Sequence, residues 1–366
     1  MLEADGKRVH VTTSPHLVRY NERIRLAGEL ISDEALAALL AEVLDAGSDL
    51  SPSFFEVTIA AAFLAFSRTP ADACVVEVGL GGRFDATNVL EPEALAACGI
   101  AALGIDHEKF LLAPEDGVPK EPMARIAFEK AGIAKAGVPL VTLAYDEPEH
   151  IAIADVADRA GTQVRDEGRW WNWGHAVGDR IGYRDANGAL LLPAPWLPGD
   201  HQRENCALAT AMIRHQAGVK VSLTAMKEGA RSVRWPARLQ QLSAGPLVGR
   251  RTVWLDGGHN LSAGAMLGEF FAGQRLHLII GMLAAKNPAA LIQPLSASLE
   301  SVTAVPVPGH DAHRPEAFAS AFAGATAAPD VPAALAQLPD DGLPVLIAGS
   351  LYLAGEVLRL NDEVPD

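Results

Sequence analysis

Four times after Arg251, a short run of Val, Ile and Leu ends on a turn-forming or small residue: "TVWLDGGHN", "RLHLIIGML", "SVTAVPVPG" and "LPVLIAGS". Each run then passes into a helical pattern. Strands buried on both faces need apolar side chains at nearly every position, and intervening helices supply the crossovers of a parallel sheet. This half of the chain therefore predicts an open, mostly parallel α/β sheet, with ligand loops at the carboxyl ends of its strands. The same signature occurs earlier in "ACVVEVGLGG", "AACGIAALGID" and "VPLVTLA". Helices are predicted at "ISDEALAALLAEVLDAG", with Ser32 as cap, at "FFEVTIAAAFLAF", apolar nearly all round, and at "MARIAFEKAGIAKAG". "HQRENCALATAMIRHQAG" and "SLTAMKEGARSV" are two more, after which "WPARLQ" reads as a join. The chain divides there into residues 1–233 and 234–366.

Two stretches depart from this alternation. The opening "MLEAD" reads as the last turn of a helix stopped by Gly6, followed by a strand, "RVHVTT", that ends at the polar corner Ser14-Pro15-His16. Residues 162–193 alternate and carry turn pairs such as Asn187-Gly188, which predicts antiparallel hairpins. Trp170, Trp171 and Trp173 fit the packing of such a small sheet better than stacking on a ligand.

Charge and cysteine usage narrow the function classes. A net charge of −15 over 366 residues weighs against nucleic acid and anionic membranes as partners. An anionic ligand would need a locally basic or metal-bridged site. No apolar run approaches the ~18 residues of a membrane span, and the opening has no basic stretch before an apolar core, so no signal peptide is expected. Cys74, Cys98 and Cys206 are odd in number and far apart, which predicts free buried thiols in a reducing cytosol.

Against this background a few polar residues stand out. Glu77 falls inside a strand predicted to be doubly buried, where a lone carboxylate costs several kcal/mol unless it meets a cation, a metal or donors. Arg83 is a candidate for a purely structural ion pair. "GLGGRF" begins like a dinucleotide fingerprint, but its sixth position is Phe84 and no helical pattern follows, so NAD binding is rejected. Asp106 and His107 end the next strand, where a metal ligand and a surface histidine are equally compatible with position alone. Lys130 lies on an otherwise apolar helix face, ordinarily a snorkelling site. "DGGHN" sets Asp256, His259 and Asn260 at a strand end with two glycines that let a ligand approach the backbone.

Taken in order, "TSPHLVRYNERIRLAGE", "FFEVT", "VVEVGLGGRFDATN", "GIDH", "FEKAGIAK", "HQRENCALA", "WPARLQ", "DGGHN" and "GSLYLAGEV" resemble the folylpolyglutamate synthase/dihydrofolate synthase branch of the Mur ligase superfamily over nearly the whole chain. "LLAPEDGVPKEP", between "GIDH" and "FEKAG", reads as a loop insertion. The resemblance implies an α/β fold. Its N-terminal domain is P-loop-NTPase-like, of the Mur ligase central type; its smaller C-terminal domain is Rossmann-like. It implies a cytoplasmic, monomeric ligase in which ATP phosphorylates a carboxylate and the amine of L-glutamate displaces the phosphate. The acceptor would be dihydropteroate or a folate (poly)glutamate.

Mg²⁺ is the implied metal, held by Ser14 and Glu77, with His107 at a second position and Lys130 joining if carbamoylated; Glu77, His107 and Lys130 are the implied catalytic residues. Asn205, Arg238, Asp256 and His259 are implied on ATP, Phe55 and Asp85 on the pterin. Closure across "WPARLQ" would exclude water from the acyl phosphate. "FFEVT" and "GLGGRFDATN" favour this branch over Mur ligases acting on UDP-linked peptides.

One family element does not occur. A P-loop cradles the triphosphate with a Gly-Lys pair followed by Gly, Ser or Thr, and no such triplet exists in the 366 residues. The nearest sequence, "DGKRV", lies at a helix end. The resemblance puts the loop, and a first strand before it, roughly a dozen residues ahead of Met1. A gene start set at an internal Met, a cloned fragment and a truncated paralogue that only binds folate or nucleotide each account for this. The intact downstream motifs favour the first. The chain as given is expected to be impaired in turnover.

Overall fold

The computed structural model describes residues 1–365. It falls into two compact units: one comprises Met1–His16, Asn21–Trp196 and Asp200–Val233, the other Leu17–Tyr20, Leu197–Gly199 and Arg234–Asp366.

The first unit begins with a single 3₁₀ turn, Glu3–Asp5, that Gly6 closes in the left-handed conformation (φ 75°). β1 (Val9–Thr12), β2 (Ile24–Leu26) and β3 (Glu29–Leu30) follow, then α1 (Asp33–Ala46), α2 (Phe54–Arg68) and β4 (Ala73–Val76). Ser32 caps α1, and a reciprocal Ser53–Glu56 capping box starts α2. These strands form one sheet in the order β3-β2-β1-β4, with β1 and β4 parallel.

β5 (Cys98–Ile100), α3 (Glu108–Leu111), α4 (Pro122–Ala131), β6 (Leu140–Thr142), α5 (Glu147–Ala160) and β7 (Val164–Asp166) come next. β5, β6 and β7 make a second, parallel sheet. Residues 162–193 thus do not form hairpins throughout: the first strand, β7, joins the parallel sheet. β8 (Trp171–Ala176), β9 (Arg180–Asp185) and β10 (Gly188–Pro193) then make an antiparallel meander. Trp171 is fully buried there and stacks on Tyr183. The Arg214 fork grips the buried Asp185 carboxylate, both bonds at 2.6 Å. Burial alone would raise that carboxyl's pKa; Arg214 and the Asn187 N–H hold it below its ordinary value. α6 (Asp200–Arg214) and α7 (Leu223–Ser232) complete the unit.

The second unit contains β11 (Gln240–Gln241), β12 (Val253–Leu255), α8 (Leu261–Phe270), β13 (Leu276–Ile280), α9 (Ala289–Leu295), β14 (Leu299–Ala304), α10 (Pro315–Ala319), β15 (Thr326–Ala327), α11 (Val331–Gln337), β16 (Val345–Ala348) and α12 (Leu351–Leu360). Its sheet runs β11-β12-β16-β13-β14-β15, parallel except for β11. Alternate side chains of β16 serve opposite faces: Val345 and Ile347 enter one core, Leu346 and Ala348 the other. Both faces are covered, which is why these strands read as unbroken apolar runs. No helix among the described residues is long and apolar enough to cross a membrane.

Candidate active site

β1 and β4 are parallel, so their carboxyl ends lie side by side, and Glu77 N–H continues the ladder by donating to Thr12 O at 3.0 Å. Just beyond β1, immediately before a cis Ser14-Pro15 bond, Ser14 N–H donates to Glu77 Oε2 at 2.8 Å. The structure therefore brings Ser14 and Glu77 together. Glu77 is not the doubly buried carboxylate expected from sequence; it is exposed. The reason is topological: β4 is the outer strand of its sheet, and Val75 on it is 46% exposed. The same edge leaves Cys74 exposed, while Cys98 and Cys206 are buried free thiols as expected.

The loop after β4 is shaped by what presses on it. A Cβ on Gly79 would stand 2.2 Å from Cζ of the Phe55 ring, and one on Gly82 would stand 2.8 Å from Lys130 O and 2.9 Å from Glu129 O. Gly81 adopts a left-handed φ of 67°. Asp85 closes the loop: its carboxylate accepts from Leu80 N–H at 2.8 Å, Thr87 N–H at 3.0 Å and the Thr87 hydroxyl at 2.5 Å. The glycines lead only into a 3₁₀ turn, Ala86–Val89, with no helix to carry a dinucleotide pyrophosphate. Phe55, Asp85 and the last turn of α4 thus converge on one loop. Lys130 sits in that turn, where burial lowers the pKa of its ammonium and the Asp85 charge opposes the shift. A lysine so placed offers more of its neutral, nucleophilic amine than a solvated one.

Arg83 does not reach Glu77. It pairs with Glu129 on α4 and with Glu115, and Arg125 pairs with the same two carboxylates. Sequence reasoning missed this network. Its one visible trace is the Arg125–Glu129 spacing of four on a helix face, which also buries both residues.

His107 and Asn205 lie on other segments of the first unit. His107 is exposed, in a left-handed conformation (φ 54°) just before α3, with its N–H on Asp106 Oδ1 at 2.7 Å. Asn205 is exposed on α6, its amide 3.4 Å from Gln202 Oε1. Among the described residues, no group of three or more His, Cys, Asp or Glu side chains is arranged to hold a metal ion.

In the second unit Arg238, Asp256 and His259 gather at the end of β12. Asp256 is 2% exposed and accepts from Leu239 N–H at 2.8 Å and Gly258 N–H at 2.7 Å. Burial raises its pKa, against the pull of those N–H groups, Arg238 and His259. The His259 ring rests with Nδ1 3.0 Å from Gly257 O, and Asn260 caps α8 through Ala263 N–H at 2.9 Å. Gly349, left-handed at φ 111°, donates to Gly258 O at 3.0 Å and links this loop to the start of α12. Ala237 and Leu239 both adopt positive φ, 55° and 46°, on either side of Arg238. Such conformations are uncommon for non-glycine residues and concentrate at ligand sites.

No family model matches the chain. Whole-chain comparisons do find relatives. The folylpolyglutamate synthase of Lacticaseibacillus casei is 33% identical over 380 residues, covering 98% of this chain and 84% of that one. Escherichia coli FolC, solved in complex with DHPP and ADP, superposes with a TM-score of 0.86 at 30% identity, over 99% of this chain and 83% of that one. A bifunctional folylpolyglutamate synthase/dihydrofolate synthase solved with Mn, AMPPNP and L-glutamate bound gives a TM-score of 0.83 at 28% identity, over 98% of this chain and 84% of that one. With this degree of identity across nearly its full length, the chain belongs to the folylpolyglutamate synthase/dihydrofolate synthase family, ligases that form C–N bonds.

Proposed function

We propose that the chain serves as an ATP-dependent amide ligase that joins L-glutamate to dihydropteroate, to folate (poly)glutamates, or to both. The acceptor carboxylate would take the γ-phosphoryl group of ATP, and the glutamate amine would displace phosphate from the acyl phosphate. One observation carries the reading: Phe55, the Gly79–Asp85 loop and Lys130 pack at a single strand end beside the Ser14–Glu77 pair. The related FolC with DHPP and ADP, and the synthase with Mn, AMPPNP and L-glutamate, support the substrate set.

Each residue has a chemical task in this reading. Phe55 and Asp85 would flank the pterin, the ring offering an apolar face and the loop that Asp85 braces fixing its position. Asn205, Arg238, Asp256 and His259 would bind ATP, with Arg238 supplying the positive charge a phosphate needs. For the metal, Glu77 is an exposed carboxylate with Ser14 against it, an oxygen pair that Mg²⁺ would accept with water filling its other positions, and the His107 imidazole is assigned to the second metal position. Mg²⁺ would supply neutralisation of phosphate charge. Lys130, with its lowered pKa, can attack CO₂ as the free amine, forming the N–C bond and releasing one N–H proton to water to leave an anionic carbamate. This converts a cation that would repel a metal into a partner for one.

A second reading, a protein that binds folate or nucleotide with little turnover, is separated from the first by two measurements. Calorimetry with dihydropteroate, in competition with a UDP-muramyl peptide, tests the site first. Dihydropteroate is expected to bind without competition, and Phe55→Ala to weaken it at least about tenfold. Absence of any dihydropteroate or folate binding would sink the ligase reading. Phosphate release dependent on dihydropteroate and glutamate then separates turnover from binding alone.

A further inference from the structure

The segment between His107 and α4 carries chemistry that the ligase reading leaves unused. Its central part, 112–121, holds no strand or helix. Glu115 nonetheless accepts from Arg83 Nη1 at 2.9 Å, from Arg83 Nη2 at 2.5 Å and from Arg125 Nη2 at 2.8 Å. Both guanidinium groups also hold Glu129 at 2.9 Å, and Arg125 and Glu129 are buried. Two arginines and two carboxylates therefore alternate around one closed network. Without Glu115, two guanidiniums would share one buried carboxylate and leave a positive charge uncompensated, an unfavourable state in a poorly solvated place.

The network joins three separate segments. Arg83 belongs to the glycine loop, and its N–H also donates to Glu129 O at 2.9 Å. Arg125 belongs to α4, and its Nε donates to Leu111 O at 3.2 Å. Leu111 in turn covers the loop: a Cβ on Gly81 would stand 2.9 Å from its Cδ2. Two large aromatics are left facing solvent beside the network, Phe84 at 82% exposure and Phe110 at 64%, with the Arg83 guanidinium 4.2 Å from the Phe84 ring.

We infer that residues 108–121 form a strap over the Gly79–Asp85 loop and that Glu115 is its positioning residue, setting the shape of the pterin side of the site. The inference rests on the pterin reading of Phe55 and Asp85 for its ligand, and on the ion network alone for its mechanics. Glu115 is partly exposed, so its ion pairs are screened in part, and its effect is on position more than on overall stability. The carboxylate is held at a pKa of about 2 by Arg83 and Arg125, so the strap stays charged throughout the neutral range.

Glu115→Gln in the full 366-residue chain separates these two parts. Hydrogen exchange read by mass spectrometry is expected to speed up in peptides spanning 79–90, with peptides of the second unit unchanged. Dihydropteroate affinity is expected to fall about tenfold, the equivalent of one charge-assisted hydrogen bond. Unchanged exchange and affinity would overturn the strap. So would a lower melting temperature with faster exchange in both units, which would make Glu115 a general stabiliser. If the wild-type chain binds no dihydropteroate, the pterin reading falls, while the exchange result still decides the strap.

Discussion

Two glycine loops leave parallel strands in this chain, one after β4 and one after β12, and they are built from the same parts. Each has a buried aspartate that accepts backbone N–H groups, and each has glycines with no room for a side chain. They differ in what confines them. The first is wedged against rigid backbone, the carbonyls of Glu129 and Lys130 at the end of α4, and is tied down by charges from another segment. The second meets the far end of the Leu351 side chain and is held by its own backbone and by Gly349. A similar sequence signal thus serves a loop fixed from outside and a loop fixed from within.

The aspartates give the largest expected contrast. Asp85→Ala strands three donors in a buried turn and is expected to lower unfolding free energy by about 3 kcal/mol. Asp256→Ala strands only two, and it also removes a charge whose burial is unfavourable, so about 1 kcal/mol is expected. The sign of the pH dependence checks this. The folded-state pKa of Asp256 is raised, so the folded chain binds more protons than the unfolded one between the ordinary and the raised values. Wild-type stability should fall as pH rises through that window, and the deficit of Asp256→Ala should shrink with it. Denaturant titrations at several pH values measure both; equal losses for the two variants would erase the distinction.

The glycines give a smaller one. Gly82→Ala forces the end of α4 to move, because its new Cβ meets two carbonyl oxygens, and about 2 kcal/mol is expected. Gly257→Ala meets the far end of a flexible leucine, 2.2 Å from Leu351 Cδ2, which can rotate away at about 1 kcal/mol. Gly82→Ala should also shift the reactivity of Lys130 toward amine reagents, since it displaces that residue's backbone. If Gly257→Ala proves the costlier of the two, the second loop is the more rigid and the comparison is reversed.

What the sequence made legible follows from the same physics. The second unit was readable strand by strand because both faces of its sheet are buried, as the division of Val345, Leu346, Ile347 and Ala348 between two cores illustrates. Glu77 was misread because an outer strand can be as apolar as a central one; pairing at an edge leaves no mark on composition. β7 was misread because a hairpin strand and a parallel edge strand share one short alternating pattern. Within the site, its place on an apolar helix face marked Lys130 and the family resemblance pointed to Asp85, but neither reached the Arg83–Glu115 contact. That contact joins residues far apart in sequence, and an acidic residue in a polar loop ordinarily faces solvent.

The smallest predicted effect tests the strain beside Arg238. Ala237 has φ 55° and is completely buried, so two opposing terms act on Ala237→Gly. Removing the Cβ relieves about 1 kcal/mol of left-handed strain. It also deletes a buried methyl worth about 0.8 kcal/mol, and it adds freedom to the unfolded chain that opposes folding by about 0.4–1 kcal/mol. A net loss within about 1 kcal/mol is expected, far below that of an ordinary buried truncation. A loss of about 2 kcal/mol or more would mean that Ala237 carries no strain. The segment that presents Arg238 would then be as relaxed as β11, the strand it leads into, and the internal confinement drawn for the second loop would rest on packing alone.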